Sequence, residues 1–308
     1  MTPEQVLSYP ARVLSQAQRE SYFERGYILA ERIVPAQWLE RLRQATAELV
    51  ERSRALPESN PVFDLEDGHS AETPRLRRVT NTNEAHPTFW EYISRSLVAD
   101  IAADLVGPNV KFLDSNFNFK CAGGGTEVRW HQDAQFTPHT NYSQVSIATM
   151  LEEVGPDQAP MAVVPGSHAG ELYDLYGEDG VWTGTISERD LERIDIEGAV
   201  RLTGPAGTIH AHNCRSVHGS ARNDSDRGRP LLITTYMAAD SFAYRPHAHP
   251  HEHLYALVRG EATRWAHLDP RPNLIPPDWS KGRGYLSLFT WQQSERDVAE
   301  GRMSRDSS

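Results

Sequence analysis

Between residues 110 and 238 the chain is a succession of short runs in which apolar and polar side chains tend to alternate, separated by Gly, Pro and Asp. Val110 to Phe119, Gln144 to Leu151, Ala162 to Val164, Ala199 to Leu202, Thr208 to His212 and Leu231 to Ala238 are such runs. A period of two marks a strand with unlike faces, and many short strands at this spacing fold as a sandwich or jelly-roll barrel.

Helical spacing is confined to the N-terminal third. Ser15 can cap a helix in which Tyr22, Phe23, Tyr27 and Ile28 recur near 3.6 residues, with Gly26 and Pro35 as punctuation. After Pro35 a second helix is predicted. Its apolar stripe is Trp38, Leu39, Leu42, Ala45, Leu49 and Val50, with charged residues opposite, as expected of a helix that buttresses a core. Residues 57–87 read as irregular structure, and Phe89 to Val106 as a helix stopped by Gly107-Pro108. The whole of 1–308 is expected to be one domain: a helical buttress over about 15–106, a strand-rich core over about 108–240, and a lid with C-terminal extension over 241–308. In that last part His247, His249, His251 and His253 alternate, but Pro246 and Pro250 interrupt any strand, which favours a lid over a second metal site. The closing SERDVAEGRMSRDSS is expected to fray.

Acidic residues outnumber basic ones by 42 to 31, a net charge of −11, which disfavours nucleic acid and anionic membranes as partners. A small-molecule substrate is the partner expected, and no obligate protein partner is evident. Two cysteines are too few for a disulfide scaffold. With no signal-like start and no apolar run of about 18 residues, the default compartment is the cytoplasm.

The chemistry concentrates around His131-Gln132-Asp133. On a strand, residues two apart share a face, so Arg129, His131 and Asp133 would converge on one side. Two imidazoles and a carboxylate on one side of a metal make the facial triad of non-haem Fe(II) oxygenases, with three positions open for a co-substrate and O₂. His210, His212 and His218 are all candidates for the second imidazole. Arg229, eleven positions after His218, opens the strand Pro230-Leu231-Leu232-Ile233 and could grip a carboxylate bidentately, which fits the distal carboxylate of 2-oxoglutarate. Alternation also gathers Asp114, Asn116, Asn118 and Lys120 on one face of a neighbouring strand. Buried without partners such a face would be costly, so it should serve a ligand. His267-Leu268-Asp269 repeats the His-x-Asp pattern but would need a third ligand from upstream. Gly123-Gly124-Gly125 lacks the phosphate-loop pattern and reads as a turn, and His168 as a loop residue.

FNFKCAGGGTEVRWHQDAQF, AVVPGSHAG and VHGSARNDSDRGRPLLITTYMAAD, in that order, together resemble the phytanoyl-CoA dioxygenase family of Fe(II)/2-oxoglutarate oxygenases. YFERGYILAERIVPAQWLERLR is similar to that family's opening segment, so the resemblance runs from about Tyr22 to Asp240. The fold expected is then mainly β with flanking helices (α+β), a double-stranded β-helix (jelly-roll, cupin-like) core buttressed by N-terminal helices. The resemblance implies His131, Asp133 and His218 as iron ligands, Arg229 with Ser220 on the distal carboxylate of 2-oxoglutarate, and Lys120 and Gln132 as further contacts. Near Thr149 the family often has a tryptophan against the co-substrate; Ala148-Thr149 stands here. The implied reaction is hydroxylation of an unactivated C–H bond with release of succinate and CO₂. Asp133 fills the position that related halogenases leave small for chloride. Desaturation, epoxidation or cyclisation would diverge later, and a non-catalytic binding module or a zinc hydrolase are the readings from other classes. For the substrate, Asn118, Arg129 and Arg245 are the candidates, with Arg129 the cation expected to hold an acidic group of a small metabolite.

Overall fold

The hydroxyls of Thr2, Ser15 and Ser96 each accept a backbone N–H from the first turn of a helix, those of Gln5, Gln18 and Val98, and so fix where three helices begin. The computed structural model describes residues 1–279 together with 288, 289 and 292. Within them the helices are α1 (Pro3–Leu7), α2 (Gln16–Arg25), α3 (Ala36–Ser53), α4 (Thr82–Ala85), α5 (Pro87–Arg95), α6 (Leu97–Val106) and α7 (Glu188–Leu191). The strands are β1 (Tyr27–Ala30), β2 (Phe63–Leu65), β3 (Leu76–Thr80), β4 (Val110–Asn118), β5 (Val128–His131), β6 (Gln144–Met150), β7 (Ala162–Val163), β8 (Val200–Arg201), β9 (Ile209–Asn213), β10 (His218–Ser220), β11 (Leu231–Ala238) and β12 (Leu257–Arg259). The fraying expected of 294–308 lies outside the described residues.

The strands form two sheets. The larger runs β1-β9-β6-β11-β4-β3-β2, with β12 added beside β4, and the smaller runs β5-β10-β7-β8; every pair is antiparallel. This is the sandwich of a jelly roll without a closed barrel. One face of the large sheet is apolar: Phe112, Phe117, Val145, Ile147, Ile209 and Tyr236 are buried there against Leu42, Leu49, Phe89, Ile93 and Ile101 from α3, α5 and α6. The other face of that sheet, with the small sheet, encloses a cavity lined by charged and polar side chains together with apolar ones, so the helices carry the hydrophobic load and leave the interior of the sandwich free for chemistry.

Three sequence expectations need correction. Tyr27 and Ile28 do not continue α2. Gly26 at φ +82° ends it in the left-handed conformation, and the apolar pair leaves as edge strand β1 on β9. A Cβ at Gly26 would come within 2.5 Å of His168 Nδ1, so the position has no room for a side chain. Residues 57–87 are not irregular throughout, since they contain β2, β3 and α4. Their charges hid the strands: Arg77 is buried between Asp64 and Glu66, at 3.4 and 3.1 Å. Phe89 to Val106 is two helices, parted at Ser96, rather than one. No helix among the described residues is long and apolar enough to cross a membrane.

Asp104, on α6, is a fastening that alternation does not reveal. Its carboxylate, 1% exposed, accepts the backbone N–H groups of Arg12, Val13 and Leu14 at 2.7, 2.9 and 2.9 Å. Asp104→Ala strands three donors and is expected to cost about 3–5 kcal/mol. Urea unfolding monitored by circular dichroism checks this, and a loss below about 1 kcal/mol would show that the segment is held by other contacts.

Candidate active site

His131 and His218 stand directly opposite each other across the β5–β10 pair, so antiparallel register alone puts both imidazoles on the inner face, ring centroids 4.2 Å apart. Gly219, next to His218, lets this pairing close, because a Cβ there would approach Val128 O at 3.0 Å and the Trp130 ring at 3.3 Å. Each ring donates its Nδ1–H to a backbone carbonyl two residues earlier, Arg129 O at 2.8 Å and Ser216 O at 2.9 Å. That fixes the tautomer and leaves the Nε2 lone pair of each ring facing inward. Burial pushes the pKa of His131 down and that of His218 further, so both stay neutral donors.

Asp133 begins a single 3-10 turn (Asp133–Gln135) just after β5, and its Oδ1 lies 3.6 Å from each Nε2. Oδ2 is turned away, accepting the Ser146 hydroxyl at 3.0 Å, with His212 Nε2 at 3.4 Å. Burial opposes the charge on Asp133, but the carboxyl is held below its usual range, with His212 at Oδ2 contributing a hydrogen bond. Two imidazole nitrogens and one carboxylate oxygen, all within 4.8 Å of one another and without bonds among themselves, are a donor set that fits a divalent cation. His218 completes this group. His212 lines the same cavity one strand away, and His210 is buried outside the lining.

The cavity around them, about 150 Å³, is also lined by Asn118, Lys120, Ser220 and Arg229. Arg229 is 3% exposed, donates Nη2–H to Ala159 O at 3.0 Å, and has a buried Nε with no hydrogen-bond partner. Burial pushes its pKa down to about 10, which still leaves it cationic at neutral pH. Lys120 gives its amine to the carbonyls of Thr126, Ser220 and Ala221. Burial, then the charge of Arg229, push it down to about 6, whereas three carbonyl acceptors match the three donors of an ammonium.

Four candidates read from the sequence do not reach the cavity. Gln132 is wholly buried on the far side of the strand, where it donates to Glu171 O and Arg215 O and accepts from Tyr173 N. Thr149 lies on the helix-packed face of β6, hydrogen-bonded to Tyr92 at 2.9 Å. The alternation that brings His131 and Asp133 inward sends Gln132 outward, and Thr149 is out of phase with Gln144 and Ser146 in the same way. Arg129 points outward and pairs with Glu188 at 2.9 Å, because the β5–β10 register slips between His218↔His131 and Ser220↔Val128. That bulge turns Val128 inward in its place. Arg245 meets Asp278 at 3.8 Å and is not part of the lining. Of the alternating histidines, His247 and His249 line the cavity, His251 bonds Leu113 O at 2.9 Å and His253 stacks on Trp90. His168, expected in a loop, sits in a single 3-10 turn (Ser167–Ala169) and holds Phe23 O at 3.0 Å. Sequence reasoning missed Arg78 and Ser146, which also line the cavity.

A family model described as phytanoyl-CoA dioxygenase (PhyH) matches residues 22–231. The chain is 28% identical over 266 residues to a probable alpha-ketoglutarate-dependent hypophosphite dioxygenase of Stutzerimonas stutzeri, covering 86% of this chain and 92% of the relative. It is 30% identical over 198 residues to L-proline trans-4-hydroxylase of Streptomyces griseoviridis, covering 58% and 72%. Among solved structures, EctD from S. alaskensis with 2-oxoglutarate and 5-hydroxyectoine superposes with a TM-score of 0.66 at 23% identity, over 86% of this chain and 92% of that one.

Proposed function

Because the chain belongs to the phytanoyl-CoA dioxygenase family, we propose that it is an Fe(II)/2-oxoglutarate-dependent dioxygenase that hydroxylates a small molecule, with His131, Asp133 and His218 as the iron ligands. Iron bound there supplies, with 2-oxoglutarate and O₂, the oxidising power for a C–H bond, and succinate and CO₂ are released. The observation that carries the reading is the convergence of two tautomer-locked imidazoles and one carboxylate oxygen in a buried cavity that also holds an arginine with unspent donors.

The chain's own residues position and protect. The Nδ1–H bonds aim each imidazole, and Ser146 holds the outer oxygen of Asp133 so that only Oδ1 faces the metal position. Arg229 takes the distal carboxylate of 2-oxoglutarate, with the Ser220 hydroxyl and Lys120 at the same end of the cavity. Phe136, Met161, Leu288 and Phe289 line the remaining wall and exclude water from the reacting atoms. Asn118 faces the substrate side. The strand-rich part and its helical buttress act as one dioxygenase domain. Two free cysteines suit a reducing compartment, and we place the protein in the cytoplasm.

Anaerobic reconstitution with Fe(II) and 2-oxoglutarate tests the reading. A weak visible charge-transfer band is expected, followed by succinate once O₂ is admitted. A folded, metal-loaded sample that gives neither would refute it.

A further inference from the structure

Two neighbouring arginines on β3 are treated oppositely. Arg77, on one face, is neutralised by Asp64 and Glu66. Arg78, on the other, lines the iron-site cavity, and its Nε is buried without a hydrogen-bond partner. Among the described residues no carboxylate lies within ion-pair distance of its guanidinium, in a chain with eleven more acidic than basic residues. Asp114, in the same cavity, feels the charge of Arg78 but lies beyond ion-pair distance of it and is engaged by His247 at 3.4 Å. Holding a partly buried guanidinium with no carboxylate in direct contact and an unspent Nε is costly, and its free donors suit an incoming anion.

Register places a helper beside it. Arg78 pairs directly with Asn118, so the two side chains leave the sheet on the same face. The Asn118 amide oxygen is likewise buried and unpartnered, and Asn81, just past the end of β3, adds a third polar group to the same wall. Arg78 lines the same cavity as His131 and His218 and as His247 and His249 of the 247–249 segment. Arg229, by contrast, sits where β11 begins, next to Lys120, whose carbonyl accepts its backbone N–H at 3.0 Å. The cavity therefore offers two separate cationic anchors. One dianionic co-substrate uses the Arg229 end, and its distal carboxylate does not call for the second.

The geometry points to Arg78, flanked by Asn118 and Asn81, as the subsite that holds the oxyanion head, a carboxylate or a phosphorus oxyanion, of a small anionic prime substrate. This rests on the dioxygenase reading for the identity of the neighbouring site and supplies the cation that Arg129, turned outward to Glu188, does not.

The test uses the anaerobic Fe(II)/2-oxoglutarate complex titrated with acetate and with methylphosphonate, and with acetamide as an uncharged control of acetate's shape. Binding is read as a shift of the charge-transfer band and as quenching of tryptophan fluorescence, since Trp279 lines the cavity. The anions are expected to bind and acetamide not. Arg78→Gln should weaken anion binding by about thirtyfold or more while 2-oxoglutarate affinity holds. Asn118→Asp, which keeps the arginine but sets a carboxylate beside it, should abolish anion binding as well. Equal anion binding by wild type and both variants overturns the subsite. Loss of 2-oxoglutarate affinity in Arg78→Gln, as large as in Arg229→Gln, also overturns it, by making Arg78 a co-substrate anchor. If the wild type takes up no 2-oxoglutarate the dioxygenase reading fails, and the same anion titrations on the metal-free protein still decide whether Arg78 binds an oxyanion.

Discussion

Asp133→Asn is expected to lose more than about a hundredfold in Fe(II) affinity, and to release no succinate above background. The carboxylate is the one anion among the three converging donors, with Oδ1 3.6 Å from each imidazole Nε2. Asparagine keeps its shape and still accepts from Ser146, so the substitution removes charge and a ligand oxygen without opening a hole. The two imidazoles remain aimed by Arg129 O and Ser216 O, and a two-nitrogen site at neutral pH is a weak one for ferrous iron. A readout independent of turnover is thermal melting. Metal that binds only the folded protein adds about 2.7 kcal/mol at a hundredfold excess over Kd, enough to raise Tm by several degrees. The wild type should show that rise with Fe(II) under anaerobic conditions and the variant should not. An equal rise in both would remove Asp133 from the metal.

That the sequence pointed to this trio follows from how strands encode position. A period of two aims side chains correctly as long as the ladder is regular, and β4 is regular enough for Asp114, Asn116, Asn118 and Lys120 all to line the cavity. The helical stripe of α3 is equally direct, since Leu39, Leu42, Ala45 and Leu49 are all buried. Errors arise where register shifts or where a family position was carried over without asking which face it occupies. The slip between β5 and β10 rotates Arg129 out of the site, and nothing in the residues around it announces an extra residue in the ladder. Gln132 and Thr149 could have been rejected on alternation alone, since each is one residue out of phase with a side chain that faces the cavity. β3 went unseen because Arg77 and Arg78 read as loop charges, although one is neutralised in the interior and the other is held against a cavity. Charge content predicts exposure only until a partner is supplied, and a partner distant in sequence is invisible until the chain is folded.

Arg229→Gln should separate the co-substrate from the metal. The side chain is 3% exposed and spends one donor on Ala159 O at 3.0 Å, leaving a buried Nε and the rest of the fork for a ligand. Truncating one side of a desolvated ion pair typically costs 2–5 kcal/mol, so KM for 2-oxoglutarate should rise by roughly thirtyfold to a few thousandfold, with Fe(II) affinity little changed. Arg229→Lys should recover only part of this, because an ammonium is a point charge without the planar fork that meets both carboxylate oxygens. The sign on stability is the sharper check. In the absence of ligand, Arg229 is a buried cation whose charge burial disfavours, and it in turn pushes the pKa of the neighbouring Lys120 ammonium down. Removing it should leave the ligand-free protein as stable as the wild type or more so, while abolishing the rise in Tm that 2-oxoglutarate gives the metal-loaded wild type. A residue whose role was only to brace the start of β11 would give the reverse: a lower Tm without ligand, and an undiminished response to 2-oxoglutarate.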